Sequence, residues 1–258
     1  MTYCAGILVR KGLVMIADTR TNAGFDDVST FRKLHILETP GERVMAIATA
    51  GNLSVTQSVL SLLAEGVLNP ESGEVETLAH APTMFRAAQL IGHAVRRVKR
   101  DVSSGLEQGE VPLEVSFLFG GQIHGGPLSL YMIYDAGNFI ECGPDAPFLQ
   151  IGEHKYGRPI LVRAVSYETE LYDALKIGLI SIDSTMRSNL AVGMPIDLAV
   201  IRRDEMRTEV VHRIEADEPY FHDLSERWSE ALRAAHTAIP RPPYAPPPLL
   251  AHTAKARG

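Results

Sequence analysis

The sequence predicts an α+β fold of four layers, αββα, in which two antiparallel sheets pack face to face and helices cover both outer faces. Three observations predict it. Strand-like and helix-like segments come in blocks rather than in the alternation of a parallel βαβ array: four strands, two helices, four strands, a helix, two strands, a helix. The run Leu13-Val14-Met15-Ile16-Ala17 is apolar at every position, as a strand buried on both faces must be. Hydrophobic residues make up 45% of the 258, enough to build a sizeable core.

The chain opens on an apolar, β-prone run from Tyr3 to Val9. Arg10-Lys11-Gly12 is a turn, and Leu13 to Ala17 returns as a second strand that ends at Asp18, so the first two strands form a hairpin. Thr19 to Thr30 is polar and glycine-containing, hence a loop. Phe31 to Leu37 is a third strand, Pro40-Gly41 a turn, and Arg43 to Ala48 a fourth strand, broken by Ala50-Gly51-Asn52. Leu53 to Gly66 is a helix, with Val55, Val59, Leu62 and Leu63 on one side and Gly66 to stop it. After a polar connector, Thr83 to about Ser104 is a longer helix with the stripe Met84, Ala87, Ala88, Ile91 and Val95. Its basic end, Arg96, Arg97, Lys99 and Arg100, reads as a solvated helix C-terminus favoured by the dipole.

Val115 to Gly120 and Leu128 to Tyr134 are strands around a glycine-rich hairpin. No Lys-Ser/Thr pair follows those glycines, which excludes a phosphate loop. Phe139 to Glu141 and Phe148 to Ile151 are short strands, and Gly152 to Gly157 is a loop. Glu168 to about Arg187 is a third helix, built on Leu171, Leu175, Ile177, Leu179, Ile182 and Met186. Ile196 to Arg202 and Thr208 to Arg213 are the last strands. Phe221 to Ala235 is an amphipathic helix with Leu224, Trp228, Ala231 and Leu232 on its apolar side. The organisation is one domain over residues 1–238, then a proline-rich tail, 239–258, whose six prolines between Pro240 and Pro248 admit neither a helix nor a central strand.

A formal net charge of −6 argues against nucleic acid or an anionic membrane as the main partner. No run approaches the roughly 18 apolar residues of a membrane span, and the start lacks the basic and apolar regions of a signal peptide. The chain therefore reads as cytoplasmic. Two cysteines, Cys4 and Cys142, indicate neither a disulfide framework nor a zinc site, and no cofactor or metal is expected.

Chemistry concentrates at the start. If Met1 is removed, Thr2 carries a free α-amine beside its own hydroxyl, a nucleophile with its base built in; such an amine titrates near roughly 7.7–8.0. The hairpin places Asp18 near the start of the first strand, beside Thr2. Lys33 lies at the head of the third strand, which is expected to pair next to the first two. Gly51 ends the fourth strand just before a helix, where its N–H can point outward at a bound carbonyl. Cys4, two residues from Thr2, faces the same side of the strand and reads as a packed small residue.

With Thr2 opening a strand, Ile16-Ala17-Asp18-Thr19-Arg20, Arg32-Lys33-Leu34, Ala50-Gly51-Asn52 and the late Met194-Pro195-Ile196-Asp197-Leu198, the sequence resembles the proteasome β-subunit superfamily of N-terminal nucleophile hydrolases. Its Met-Thr-Tyr-Cys start, its length and its extra C-terminal helix and tail are most similar to the bacterial proteasome-related Anbu branch, over roughly residues 2–215. The resemblance implies a threonine peptidase with catalytic Thr2, Asp18, Lys33 and Gly51, acting on peptide or protein substrates inside a homo-oligomeric ring or spiral. It leaves open any unfolding ATPase. It also implies an aspartate and a serine after the third helix, and another serine on the loop after the second block of strands. Here those positions hold Asn189, Val192 and Glu153, with Ser188, or Asp183 and Ser184, as the nearest replacements. A catalytically weak assembly protein and a small-molecule amidase remain as alternatives.

Overall fold

A computed structural model describes residues 1–22, 28–69, 73–103 and 113–244. Its main strands, in chain order, are β1 (Tyr3–Val9), β2 (Gly12–Asp18), β3 (Leu34–Thr39), β4 (Arg43–Gly51), β5 (Val115–Ile123), β6 (Ser129–Ile133), β7 (Phe139–Glu141), β8 (Phe148–Gly152), β9 (Ile196–Arg202) and β10 (Thr208–Ile214). The helices are α1 (Leu53–Glu65), α2 (Met84–Ser103), α3 (Arg158–Ala164), α4 (Leu171–Ser188) and α5 (Pro219–Ala238). One sheet has the order β8-β1-β2-β9-β10, the other β7-β6-β5-β4-β3, and every neighbouring pair is antiparallel.

The core follows from strand alternation. Along β2, Val14 and Ile16 join an apolar cluster with Leu161 of α3, Leu179 of α4 and Leu224 of α5. Leu13, Met15 and Ala17, on the opposite face, join a cluster drawn from strands of both sheets, including Ala46, Leu118 and Leu130. All seven residues of β2 are buried, and full burial of one aliphatic side chain contributes about 1.5–3 kcal/mol. A third cluster sets Phe117 and Phe119 of β5 against Val55 and Val59 of α1 and Ala88 and Ile91 of α2.

Several boundaries differ from the sequence reading. β3 begins at Leu34, three residues late, because the Phe31 N–H donates to Thr19 O rather than to a strand. β5 runs on to Ile123, held extended by pairing with β4 through Arg43↔Ile123. α4 starts at Leu171 because Glu170 is its N-cap, accepting the Tyr172 and Asp173 N–H groups. α3, with Pro159 in its first turn, falls where no element was predicted. Of two short ribbons, 20–22 with 28–30 lies inside a predicted loop, and 67–68 with 75–76 joins the residues just after the first predicted helix to the polar connector. In α5 only Phe221, Leu224 and Ser225 are buried; Ala231 and Leu232 are exposed because the helix runs on beyond its packing against α4. It stops where the prolines start, with Ile239 as its C-cap. Ser104 and residues 245–258 of the tail lie outside the described residues.

Of the four basic residues at the end of α2, Arg97 and Arg100 are exposed, while Arg96 and Lys99 are tied down. Arg96 donates to Gly137 O at 3.0 Å, and Lys99 pairs with Asp135 at 2.8 Å, so both reach the β6–β7 turn.

Candidate active site

Thr2 stands just before β1 and is 9% exposed. The register of the sheet decides its neighbours. On one side Tyr3 pairs with Gly152, bringing the end of β8 against Thr2, and the Glu153 N–H donates to Thr2 O at 2.6 Å. Gly152 has φ +80°, and a Cβ there would sit 2.1 Å from Thr2 O, so this close approach admits only glycine. On the other side Cys4 pairs with Ala17, which sets Asp18 opposite Tyr3, and the Tyr3 N–H donates to Asp18 Oδ1 at 2.9 Å.

Asp18 Oδ1 also accepts from Lys33 Nζ at 2.8 Å, and Nζ donates again to Arg20 O at 2.6 Å. Both side chains are buried. Burial raises the Asp18 pKa above the ordinary carboxylate value, against the pull of Lys33 and the backbone N–H groups of Tyr3 and Gly193. The pull from Gly193 is not a hydrogen bond of ordinary geometry, for Asp18 Oδ2 is buried without one. Lys33 is fixed by its backbone too: its carbonyl accepts the Thr49 N–H at 3.0 Å. The third strand does not pair next to the first two as expected: β3 lies in the other sheet, and Lys33, just before it, reaches Asp18 of β2 through its side chain across the two sheets.

Gly51 closes β4 with φ +105°; a Cβ there would meet Glu114 O at 2.1 Å. Asn52 follows as the N-cap of α1, its side chain accepting the Val55 N–H. Gly51 and Thr2 line one cleft of about 530 Å³, with Glu114, Ser116, Tyr134 and Asp135 on its walls. Met1 lies at the same cleft and is 66% exposed. A larger depression of about 750 Å³ between α1 and α2 holds none of these residues.

Cys4 is fully buried, its Sγ directed at Thr49 O. Burial pushes its thiol pKa up, Asp18 adds to the rise and Lys33 opposes it, which fits a packed thiol and not a nucleophile. Burial likewise pushes Cys142 up to about 12.

Two of the three altered support positions are engaged with each other. Asn189 Nδ2 donates to Glu153 Oε2 at 3.0 Å, Glu153 Oε1 accepts the Lys155 N–H at 2.9 Å, and Asn189 Oδ1 accepts the Ala191 N–H at 3.0 Å. Val192 packs in the core. The suggested replacements lie elsewhere: Asp183 accepts from Ser225 of α5 and from Arg187, and Ser188 is exposed. Sequence reasoning missed the Glu153–Asn189 bond; the only signal was that an acid and an amide appeared together at two departures. Among the described residues no group of three His, Cys, Asp or Glu is placed to hold a metal ion, and no helix is long and apolar enough to cross a membrane.

Two antiparallel sheets, with a threonine opening one of them beside a buried lysine–aspartate pair, define a proteasome-related protein of the β-subunit class. Solved structures say which. The chain is similar to Anbu (ancestral beta-subunit) from Yersinia bercovieri, at 43% identity over 94% of this chain and 100% of that one, with a TM-score of 0.86. It is similar to Anbu from Hyphomicrobium sp. strain MC1 at 46% identity, over 93% and 98% of the two chains, TM-score 0.84. It is also similar to the subunit in the helical assembly of the Anbu complex from Pseudomonas aeruginosa at 44% identity, over 94% and 98%, TM-score 0.86. The chain belongs to the Anbu family of bacterial proteasome-related proteins. No protein-family model and no curated protein matches the sequence.

Proposed function

We propose that this protein is a threonine hydrolase that cleaves peptide or amide bonds within a homo-oligomer. The observation that carries the reading is the shared oxygen: Asp18 Oδ1 holds both the Lys33 ammonium and the Tyr3 N–H, so a buried cation is fixed next to the nucleophile's own chain segment. Once Met1 is removed, Thr2 Oγ attacks the substrate carbonyl carbon while the α-amine takes the hydroxyl proton, directly or through a water. Lys33 lowers the pKa of both groups by its charge. Antiparallel alternation supports Gly51 as the oxyanion donor. Thr49 donates toward β3 and Asn52 toward β5, so the Gly51 N–H points to the β3 side, past the end of that strand at Leu34. Such a donor is worth about 10²–10³ in rate. The amine returns its proton to the leaving nitrogen, and water then hydrolyses the threonyl ester.

The helical assembly of the Pseudomonas aeruginosa relative supports oligomerisation. The stacking of the three apolar clusters supports an αββα order of layers within a single domain over residues 1–238. A second reading, an assembly protein without activity, is favoured by Asn189, Val192 and Glu153 at the support positions.

An epoxyketone probe decides between them, because its stable adduct needs the hydroxyl and the free amine of one residue. Intact-mass measurement is expected to show loss of Met1 and one adduct per chain, absent in Thr2→Ala. A processed wild type that stays unlabelled, or an alanine variant that labels equally, would overturn the hydrolase reading.

A further inference from the structure

We propose that Glu153 and Asn189 form a positioning pair that fixes Thr2 in place of the support residues this chain lacks. The proposal rests on the hydrolase reading for its purpose, but its geometry stands independently. Glu153 is 4% exposed and joins three segments. Its N–H holds the Thr2 carbonyl, its Oε1 closes the turn onto the Lys155 N–H, and its Oε2 takes the Asn189 amide from the segment after α4. Its carbonyl in turn accepts Gln150 Nε2 at 3.0 Å, so the residue is held at both ends. Rotation of the Glu153 backbone would break its hydrogen bond to Thr2 O and loosen the packing of Gly152 against Thr2, which is too close to leave room for a Cβ. Asn189 is polarised to match: its oxygen is committed to the Ala191 N–H, which leaves only its NH₂ to face Glu153.

That polarity gives a test by exchange of chemistry. In Glu153→Gln two NH₂ donors face each other or the Lys155 N–H loses its acceptor; in Asn189→Asp two carboxylates face each other. The double variant restores all three bonds: the Lys155 and Ala191 N–H groups donate as before, and only the bond between residues 153 and 189 reverses its direction. The other charged groups around Thr2, which are Asp18, Lys33, Glu114 and Asp135, are unchanged throughout. Hydrogen–deuterium exchange of residues 150–157 is expected to speed up about tenfold in each single variant and to return to within about twofold of wild type in the double. The pH midpoint of epoxyketone labelling is expected to rise in Asn189→Asp, fall in Glu153→Gln and return in the double, since each single changes the negative charge near the Thr2 amine. A pair with only a structural role lowers the melting temperature of the singles and leaves the maximal labelling rate per folded molecule, reached above that midpoint, unchanged, which would refute positioning. Singles that leave exchange unchanged, or a double that does not restore it, would refute the pair. If wild type never labels, the hydrolase reading falls while the exchange result still decides whether the pair holds Thr2.

Discussion

The Tyr3 N–H donates to Asp18 Oδ1 at 2.9 Å, across the β1–β2 pairing. The residue after Thr2 is thus pinned by the same oxygen that holds Lys33. Any change to this carboxylate is felt at once by a backbone segment and by a buried cation.

Lys33→Met leaves Asp18 buried without its cation. Breaking a buried pair on one side costs about 3–5 kcal/mol, so a clear drop in urea-melt stability is expected, with loss of epoxyketone labelling. The double variant Asp18→Asn/Lys33→Met removes both charges and keeps an acceptor for the Tyr3 N–H. Its stability is expected to return to wild type or exceed it, with labelling still absent. Recovery of labelling would contradict the role given to Lys33.

The Asp18 pKa is raised in the folded state, with burial as the main cause. The folded chain therefore binds a proton more readily than the unfolded one in the window above the ordinary carboxylate value. Stability contributed by Asp18 is present below that value and lost as pH rises through the folded pKa. The stability of wild type minus that of Asp18→Asn is expected to fall with rising pH across this window, and urea melts at stepped pH measure it. A difference that grows with pH would reverse the sign.

Gly51→Ala is expected to destabilise the fold and to suppress labelling together. The position needs φ +105°, and its new Cβ would meet Glu114 O. Strain of this kind costs about 1–3 kcal/mol, and relief by shifting the backbone turns the N–H away from the cleft. Thermal melts and labelling rates on one preparation check both halves.

Asp183→Ala serves as the contrast. It deletes the acceptor of Ser225 Oγ at 2.7 Å, which ties α4 to α5, and that of Arg187 within α4. A loss of about 1–3 kcal/mol is expected from the unpaired groups, with the labelling rate per folded molecule unchanged. A labelling defect would place Asp183 in support of Thr2 after all.

The candidate site was legible where it depends on short-range counting. A hairpin with a tight turn fixes which residue faces Tyr3, so Asp18 follows from the sequence, and a glycine between a strand and an N-cap marks Gly51. Lys33 was legible as a residue but not in its placement, because Phe31 bonds to Thr19 O and delays the strand. Glu153 and Asn189 meet across 36 residues on two loops, and neither loop carries a periodic pattern. α3 has only seven residues and one fully buried apolar side chain, Leu161, too few for helical periodicity to emerge. The exposure of Ala231 and Leu232 escaped notice because an apolar face says nothing about how far its partner helix extends.

Met1 projects into open solvent while its neighbour Thr2 is nearly enclosed. Met1 lies outside β1, so its loss would take no residue from either sheet. On the proposed hydrolase reading, arming the threonine then becomes a question of timing, separable from folding.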